Sequence, residues 1–345
     1  MTKAFTHLLQ ITPLGLLYGS AGGFLSPENL VGRSGNKFPP SSATVSGLYA
    51  QVNTEKAEKK TWLLPDLCLA GPFWAKSEHP QQFYVPTPLI YLVEKNSSQI
   101  KYKLHLKSPR TDEQPAHWEP KSVDPQEEDQ HQPKKFSSDT WLAIADWNNH
   151  PQKVYESPWK YLPHLHSRLQ DEQRHTKEGD LFLENAVQVD PDVSLIYLTN
   201  EVLPDGWYRF GGEGHLVDIK CCQLTDQKII KLLSDKVGDT FALITPAVWG
   251  SNRFSYRFPQ VKNGDRLEIP QEWQHQALLT ERPQPFRYRL GGKLSRGRYA
   301  VPAGSVYVLK EGLDKSWYDW PKDWFPIEAY SFKRWGCGLA LPLSM

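Results

Sequence analysis

The first fifty residues change in hydrophobic pattern in a way that predicts a strand, a long loop and a helix. Apolar residues are frequent over 7–14, which is typical of a strand. Residues 15–40 are rich in glycine and predict a loop. Residues 39–42 join two prolines to two serines that can cap a helix, so we predict a helix that begins there and runs through Tyr49.

A second regular pattern begins after residue 193. The predicted elements are a strand at 195–198, a hairpin formed by 207–210 and 216–219, a helix at 227–234 and a strand at 241–246. Joined to the first strand and helix, they give the order β-α-β-β-α-β, which is the ferredoxin-like arrangement. We therefore predict an α+β protein.

The remaining pattern predicts an insertion and a second domain. The ferredoxin-like domain is expected to span 1–250, with an insertion over 60–193 between its halves. Within that insertion, residues 107–139 contain few large apolar side chains and are expected to be disordered. Residues 251–345 are expected to form a smaller α+β domain that ends in a glycine-rich motif.

The composition is typical of a globular protein and argues against a disordered, a disulfide-rich secreted or a membrane-spanning protein. Hydrophobic residues make up 39% and charged residues 23% of the 345 residues. The four cysteines show no metal-ligand or secreted-disulfide spacing, and we expect them to be reduced thiols. No segment resembles a signal peptide or a membrane span, so the expected location is the cytoplasm, without contact to a membrane.

Charge is polarised along the chain although the net charge is +1. Residues 251–345 carry 15 Lys and Arg against 9 Asp and Glu, whereas residues 1–250 carry 25 against 30. Six of those cations fall between Arg282 and Arg298 without an acid, among Phe286, Tyr288 and Tyr299. Cations neutralise phosphates and aromatic rings stack on bases, so this segment predicts RNA binding. A solvated basic hairpin is the alternative.

The predicted RNA-binding residues are cations and glycines, since glycine lets a backbone approach a ligand closely. The cations are Arg33, Lys37, Arg253, Arg257, Arg287, Arg289, Lys293, Arg296, Arg298, Lys333 and Arg334. The glycines, which would offer their backbone, are Gly22, Gly23, Gly211, Gly212, Gly214, Gly336 and Gly338.

Motifs for catalysis, cofactors or metals are not recognisable. The glycines of 211–214 lie between two strands, whereas a nucleotide-binding fingerprint needs a helix after them. Gly291-Gly292-Lys293 lacks the spacing of a Walker loop. We expect no catalytic residue, no metal, no cofactor and no small-molecule substrate.

Several motifs together resemble the Cmr-three family, the RAMP subunit of type III-B CRISPR effectors. They are Thr12-Pro13-Leu14, Phe38-Pro39-Pro40-Ser41, Gly47-Leu48-Tyr49, Phe210-Gly211-Gly212-Glu213-Gly214, Thr245-Pro246-Ala247, residues 300–307 and Gly336-Cys337-Gly338-Leu339-Ala340. Their order along nearly the whole chain carries the resemblance.

The resemblance implies two ferredoxin-like (RRM-like, RAMP) domains and no nuclease activity. It also implies contact with the 5′ repeat-derived tag of the guide RNA, docking to the large polymerase-like subunit, and docking to an adjacent RAMP backbone subunit. Two alternatives stay open: an endoribonuclease of the same superfamily that uses a histidine such as His7 or His215 as general acid-base, and a scaffold that contacts protein alone.

Overall fold

The computed structural model describes residues 5–18, 38–56, 64, 66–107, 116–124, 136–170, 173–211, 214–250, 254–290, 293–328 and 330–345. Its helices are α1 (Ser42–Lys56) and α2 (Gln227–Ser234), with 3₁₀ turns at Ile144–Asp146, Gln271–Trp273, Trp317–Asp319, Lys322–Trp324 and Phe332–Trp335.

The first thirteen strands lie before α2. They are β1 (His7–Pro13), β2 (Leu17–Tyr18), β3 (Leu69–Lys76), β4 (Tyr84–Pro86), β5 (Tyr91–Val93), β6 (Ile100–Lys107), β7 (His117–Ser122), β8 (Trp141–Ala143), β9 (Trp159–Gln170), β10 (Gln173–Val189), β11 (Val193–Thr199), β12 (Gly206–Phe210) and β13 (His215–Gln223).

The other strands follow α2. They are β14 (Gly238–Leu243), β15 (Val261–Asn263), β16 (Arg266–Glu268), β17 (His275–Leu279), β18 (Gln284–Phe286), β19 (Arg289–Leu290), β20 (Lys293–Leu294), β21 (Arg298–Ala300), β22 (Val306–Leu313), β23 (Ile327–Glu328), β24 (Tyr330–Ser331) and β25 (Ala340–Pro342).

The largest sheet of the described chain has the order β12-β13-β1-β11-β3-β4-β8, and neighbouring strands are antiparallel. Helix α1 lies between β1 and β3 in sequence, and β11 lies between these two strands in the sheet. Because β11 is antiparallel to both, β1 and β3 are parallel to each other. The four elements therefore form a split β-α-β unit.

The strand that completes this unit differs from the predicted one. The sequence pattern assigned 241–246 to the first sheet, whereas β14 pairs with β22 and β25 in a second sheet of order β17-β22-β14-β25. Strand β3 takes part in the first sheet instead. It contains Gly71-Pro72, a pair that is typical of turns, so the pattern hid this strand. The α+β class is confirmed, whereas two ferredoxin-like domains are not.

The central strands of the first sheet are buried on both faces, because they alternate between two cores. Leu9 and Ile11 of β1 pack with Val45 and Leu48 of α1. Leu8 lies in a larger core that reaches the second sheet and its aromatic residues. Strand β13 belongs to the first sheet and β14 to the second. The chain therefore passes from one sheet to the other before residue 250, where the domain boundary is predicted.

The predicted insertion contains ordered strands. Strand β7 pairs with β6 over six residue pairs, from Tyr102 with Ser122 to Lys107 with His117, and Phe136 forms a bridge with Glu94. The expectation of disorder over 107–139 is therefore wrong for 116–124 and 136–139. Lys107 is the last residue of β6, and residues 108–115 and 125–135 lie outside the described chain. Strands β9 and β10 form a long hairpin. No helix in the described ranges is long and apolar enough to cross a membrane.

Candidate nucleic-acid interface

A hairpin formed by β18 and β21 divides the predicted basic segment into an inner and an outer face. Phe286 pairs with Arg298, and Pro285 pairs with Tyr299. Arg298 is 2% exposed and Tyr299 is 47% exposed. Strand alternation therefore directs Arg298 into the protein and Tyr299 outward.

The inner face is fixed to β23 through Glu328. The Arg298 guanidinium forms an ion pair with the Glu328 carboxylate and lies 5.1 Å from the centre of the Phe332 ring. The Tyr288 hydroxyl donates to Glu328 Oε2 at 3.1 Å. Burial, with the nearby Glu328 charge as a smaller cause, raises the pKa of Tyr288 to about 12. Tyr288 thus stays a neutral donor, and the hairpin is held in one orientation.

The outer face meets a second segment of the chain. The Tyr299 backbone N–H donates to Ser255 Oγ at 2.9 Å, which brings the loop of Phe254 and Arg257 beside the hairpin. Phe254 is 55% exposed, and Arg257 is exposed as well.

Two further arginines lie in the segment that joins the two strands of the hairpin. Arg287 is half-buried, and its Nε donates to the Ser295 carbonyl at 3.1 Å. Arg296 is exposed. We refer to Phe254, Arg257, Arg287, Arg296 and Tyr299 together as the aromatic-basic face.

Three predicted RNA-binding cations have structural partners instead. Arg298 is buried with Glu328, so its assignment as an RNA contact is wrong. The Lys333 ammonium donates to the carbonyls of Tyr318 and Trp320, and burial lowers the pKa of Lys333 to about 8. Arg334 donates to the Leu64 carbonyl at 2.8 Å and lies over the Tyr330 ring at 4.3 Å. Lys333 and Arg334 hold the C-terminal segment in place.

The two C-terminal glycines are packing positions rather than ligand-facing ones. Gly336 has φ +66°, and a Cβ there would lie 2.5 Å from Ala70 Cα and 2.6 Å from the Leu69 carbonyl oxygen. A Cβ on Gly338 would lie 2.9 Å from the Trp249 ring. Both residues are buried, so their prediction as RNA-facing backbone is wrong.

Gly211 and Gly214, which follow β12, are less enclosed than the C-terminal glycines. Gly211 has φ +74°, and among the described residues, its chain neighbours apart, no atom lies within 4 Å of the position that a Cβ would occupy. Gly214 has φ +67° and lies beside Arg209. The sequence pattern predicted these glycines but missed Trp207, which is 72% exposed, and the neighbouring Arg209. The signal was present in the sequence, because Trp207 and Arg209 share one face of an alternating strand.

The remaining predicted residues are not placed in a site. Arg33, Lys37, Arg253, Gly22, Gly23 and Gly212 lie outside the described residues. Arg289 and Lys293 belong to β19 and β20, which pair with each other.

The histidines of the endoribonuclease alternative lie in separate local contacts. His7 Nδ1 lies 2.9 Å from Thr6 Oγ1, and the His215 ring stacks on Tyr18 with centroids 5.1 Å apart. The described part of the chain contains no group of three or more His, Cys, Asp or Glu residues that could hold a metal ion.

Comparisons with solved structures give distant matches. A chain of type III-B Cmr-beta bound to cognate target RNA and AMPPnP is 12% identical, with 87% of this chain and 86% of that chain covered and a TM-score of 0.48. A chain of the Csm3-Csm4 subcomplex in the type III-A CRISPR-Cas interference complex is 9% identical, with 89% and 94% covered and a TM-score of 0.38. No curated protein matches.

The comparison with protein families is decisive because it extends over almost the whole chain. The family model described as CRISPR-associated protein (Cas_Cmr3) matches residues 15–345. The chain therefore belongs to the Cas_Cmr3 family of CRISPR-associated proteins, the RAMP-type subunits of type III-B effectors.

Proposed function

We propose that this type III effector component is a non-catalytic RNA-binding subunit. It holds the 5′ repeat-derived tag of the guide RNA and docks to the large polymerase-like subunit and to an adjacent RAMP backbone subunit, in antiviral defence. The observation that carries the proposal is the aromatic-basic face, which joins three arginines to two exposed rings.

The chemistry of this face suits single-stranded RNA. Guanidinium groups of Arg257, Arg287 and Arg296 can pair with phosphates, and the rings of Phe254 and Tyr299 offer surfaces on which bases stack. Holding RNA in this way requires no reaction.

The buried anchor beneath the face adds rigidity. The Arg298–Glu328 ion pair and the Tyr288 hydrogen bond fix the hairpin from inside, so its outward side chains start from one backbone position. A fixed backbone lowers the entropy that must be lost when RNA binds.

The experiment replaces Arg257 and Arg296 with Ala in the assembled effector. The dependence of guide-RNA affinity on salt should weaken, by roughly 0.7 in logarithmic slope for each phosphate that is no longer neutralised. Lys228→Ala is the matched control, because Lys228 is an exposed cation on α2. An unchanged slope in a folded double variant would show that this face meets solvent or protein.

A second measurement addresses the endoribonuclease alternative. The purified chain should leave CRISPR repeat RNA intact. Metal-independent cleavage that disappears with His7→Ala or His215→Ala would support the enzyme instead.

A further inference from the structure

Strand β12 lies at one edge of the first sheet, and among the described residues β13 is the one strand that pairs with it. An edge strand presents backbone N–H and C=O groups that its own sheet does not use, and these groups can pair with a further strand. The hydrogen bonds of β13 show which groups of β12 are left over.

Strand β13 directs the backbone groups of alternate residues toward β1. The Leu14 N–H donates to the Leu216 carbonyl at 3.1 Å, and the Leu224 N–H donates to the Thr6 carbonyl at 2.9 Å. Bonded and non-bonded pairs alternate along an antiparallel ladder. The even-numbered residues of β13 therefore face β1, and the odd-numbered residues face β12.

Trp207 and Arg209 consequently direct their backbone groups away from the sheet. They lie opposite Asp218 and Leu216, whose backbone groups face β1, and the pairing of β12 with β13 has no register shift. Ladder bonds to β13 thus come from the residues between them, such as Tyr208. Two N–H groups and two carbonyls, alternating along the strand, point to the outer edge.

The side chains at this edge suit a partner strand of defined chemistry. Trp207 is 72% exposed, and Arg209 is exposed on the same face of β12. Leu216, which is 46% exposed, lies opposite Arg209 and is therefore the diagonal neighbour of Trp207. A strand added beside β12 would place one side chain against Trp207 and another against Arg209. An apolar residue at the first place and an acid at the second would be complementary.

Two other sheet edges are covered, which sets β12 apart. At the opposite edge of the first sheet, Trp141 of β8 and Tyr155 exchange two backbone hydrogen bonds, both of 2.8 Å. At the edge of the second sheet, β25 contains Pro342, which has no N–H, and the Pro342 carbonyl accepts from Trp147 Nε1 at 2.8 Å and Asn148 Nδ2 at 2.9 Å. Such features prevent strand addition. Strand β12 contains no proline, and no segment of the described chain pairs with its outer side.

We propose that β12 is a docking site for an extended segment of a protein partner, which joins the first sheet as a further strand and places an apolar side chain against Trp207 and an acid against Arg209. This inference rests on the proposed function, since it gives the mode of contact for the docking to a partner subunit. It requires no RNA at this hairpin.

The edge favours a polypeptide over RNA and over a second copy of this chain. A polypeptide strand offers alternating donors and acceptors at the spacing of the β12 groups. Phosphates only accept hydrogen bonds, so RNA would leave the outward carbonyls of β12 without donors along its backbone. A second β12 could not supply the acid, because Gly206–Phe210 contains none.

The test measures hydrogen exchange at the single amides of Trp207 and Arg209 in the unsubstituted protein. Both should exchange rapidly in the isolated chain, because they point away from β13, and about 10-fold or more slowly in the assembled effector. Guide RNA added to the isolated chain should leave both rates unchanged. The Tyr208 amide, which faces β13, is the internal reference and should exchange slowly in every sample.

A matched pair of variants tests the same hydrogen bonds through affinity. Arg209→Pro removes the outward N–H, and proline is tolerated on an edge strand where that N–H faces solvent. Arg209→Ala is the control, because it removes the same charge but keeps the N–H. Arg209→Pro should bind the partner subunit about 3-fold or more weakly than Arg209→Ala, as expected for one lost hydrogen bond. If Arg209→Pro does not fold, the exchange rates decide.

The outcomes separate this inference from the proposed function. Unprotected amides in an effector that retains the chain would overturn strand addition and leave the proposed docking in place. Protection by guide RNA alone, protection that increases with the concentration of the isolated chain, or slow exchange in the dilute chain would each contradict the inference. They would assign the edge to RNA, to a second copy or to this chain itself. If the chain does not co-purify with any partner subunit, the proposed docking fails as well.

Discussion

Arg298 and Tyr299 are neighbours in sequence, and strand alternation gives them opposite environments. Arg298 pairs with Glu328 inside the protein, whereas Tyr299 is 47% exposed on the outer face. The sequence pattern grouped Arg298 with the exposed arginines, because a cluster of basic residues does not reveal an acid that lies thirty positions later. Burial decides which cations can reach a phosphate.

Gly336 provides a test at the residue scale. Gly336→Ala should destabilise the protein by about 2–5 kcal/mol, because it combines left-handed strain with overpacking against Ala70. Gly47 is the control: it lies in α1, and no atom of the described residues outside the helix backbone lies within 4 Å of its Cβ position, so Gly47→Ala should stabilise by about 0.5–1 kcal/mol. Melting temperatures would measure both, and equal effects would contradict the packing role of Gly336.

Lys333 should make stability depend on pH. Burial lowers its pKa to about 8 from the ordinary 10.5, so above pH 8 the unfolded chain binds more protons than the folded one. Stability therefore rises with pH between these two values. The free energy of unfolding of the unsubstituted protein, relative to Lys333→Met, should increase from about pH 8 to pH 10. A constant difference would contradict the lowered pKa.

At the scale of elements, local pattern predicted β1, α1, β11, the β12–β13 hairpin and α2. These segments have clear periodicity or turn residues, and α2 is capped by Asp226, whose carboxylate accepts from the backbone N–H of Lys228 and Ile229. Strand β3 and the sheet of β14 were not predictable in this way. Sheet partners are chosen by burial on both faces, which a single segment does not encode.

The anchor of the β18–β21 hairpin can be tested by a double-mutant cycle. Arg298→Met leaves the Glu328 carboxylate without a cation, with only the Tyr288 hydrogen bond remaining of the contacts described above, and should cost about 3 kcal/mol or more. Combining Arg298→Met with Glu328→Gln should recover part of that loss, with a coupling of about 1–3 kcal/mol in urea unfolding. Additive effects would show that the two side chains act independently.

The order of strand β7 can be tested with two neighbouring residues whose side chains point to opposite faces. Trp118 packs against the main core, whereas His117 is exposed. Trp118→Ala should destabilise the protein by about 1–3 kcal/mol, and His117→Ala should change stability by less than about 0.5 kcal/mol. Thermal unfolding would compare them. If both substitutions changed stability by less than about 0.5 kcal/mol, this segment would be disordered, as its composition predicts.

At the scale of the whole molecule, the main core joins residues from both predicted domains. Phe241 of β14 stacks on Tyr307 of β22 and meets Trp273 and Trp320 edge-on. The sequence motifs were sufficient to identify the family, because they follow one another in a specific order along the chain. The family is confirmed by the match over residues 15–345. The domain division at residue 250 stays a prediction, because packing between distant segments leaves no local signal in the sequence.

A fragment of residues 1–250 tests this shared core. It contains β14 but lacks β22 and β25, so we expect it to aggregate or to unfold without cooperativity. Co-expression with residues 251–345 should restore a folded complex, as judged by size-exclusion chromatography and thermal unfolding. A cooperative transition in the isolated fragment would show that residue 250 ends an independent domain.

The pairing of β14 with β22 also has a consequence for synthesis on the ribosome. About 60 residues separate the two strands, so β14 is complete roughly 3–12 s before β22 at ordinary elongation rates. During that interval the apolar run Phe241-Ala242-Leu243-Ile244 has no partner strand from the second sheet. Nascent chains should therefore bind chaperones that recognise apolar segments most strongly while residues 244–306 are being translated.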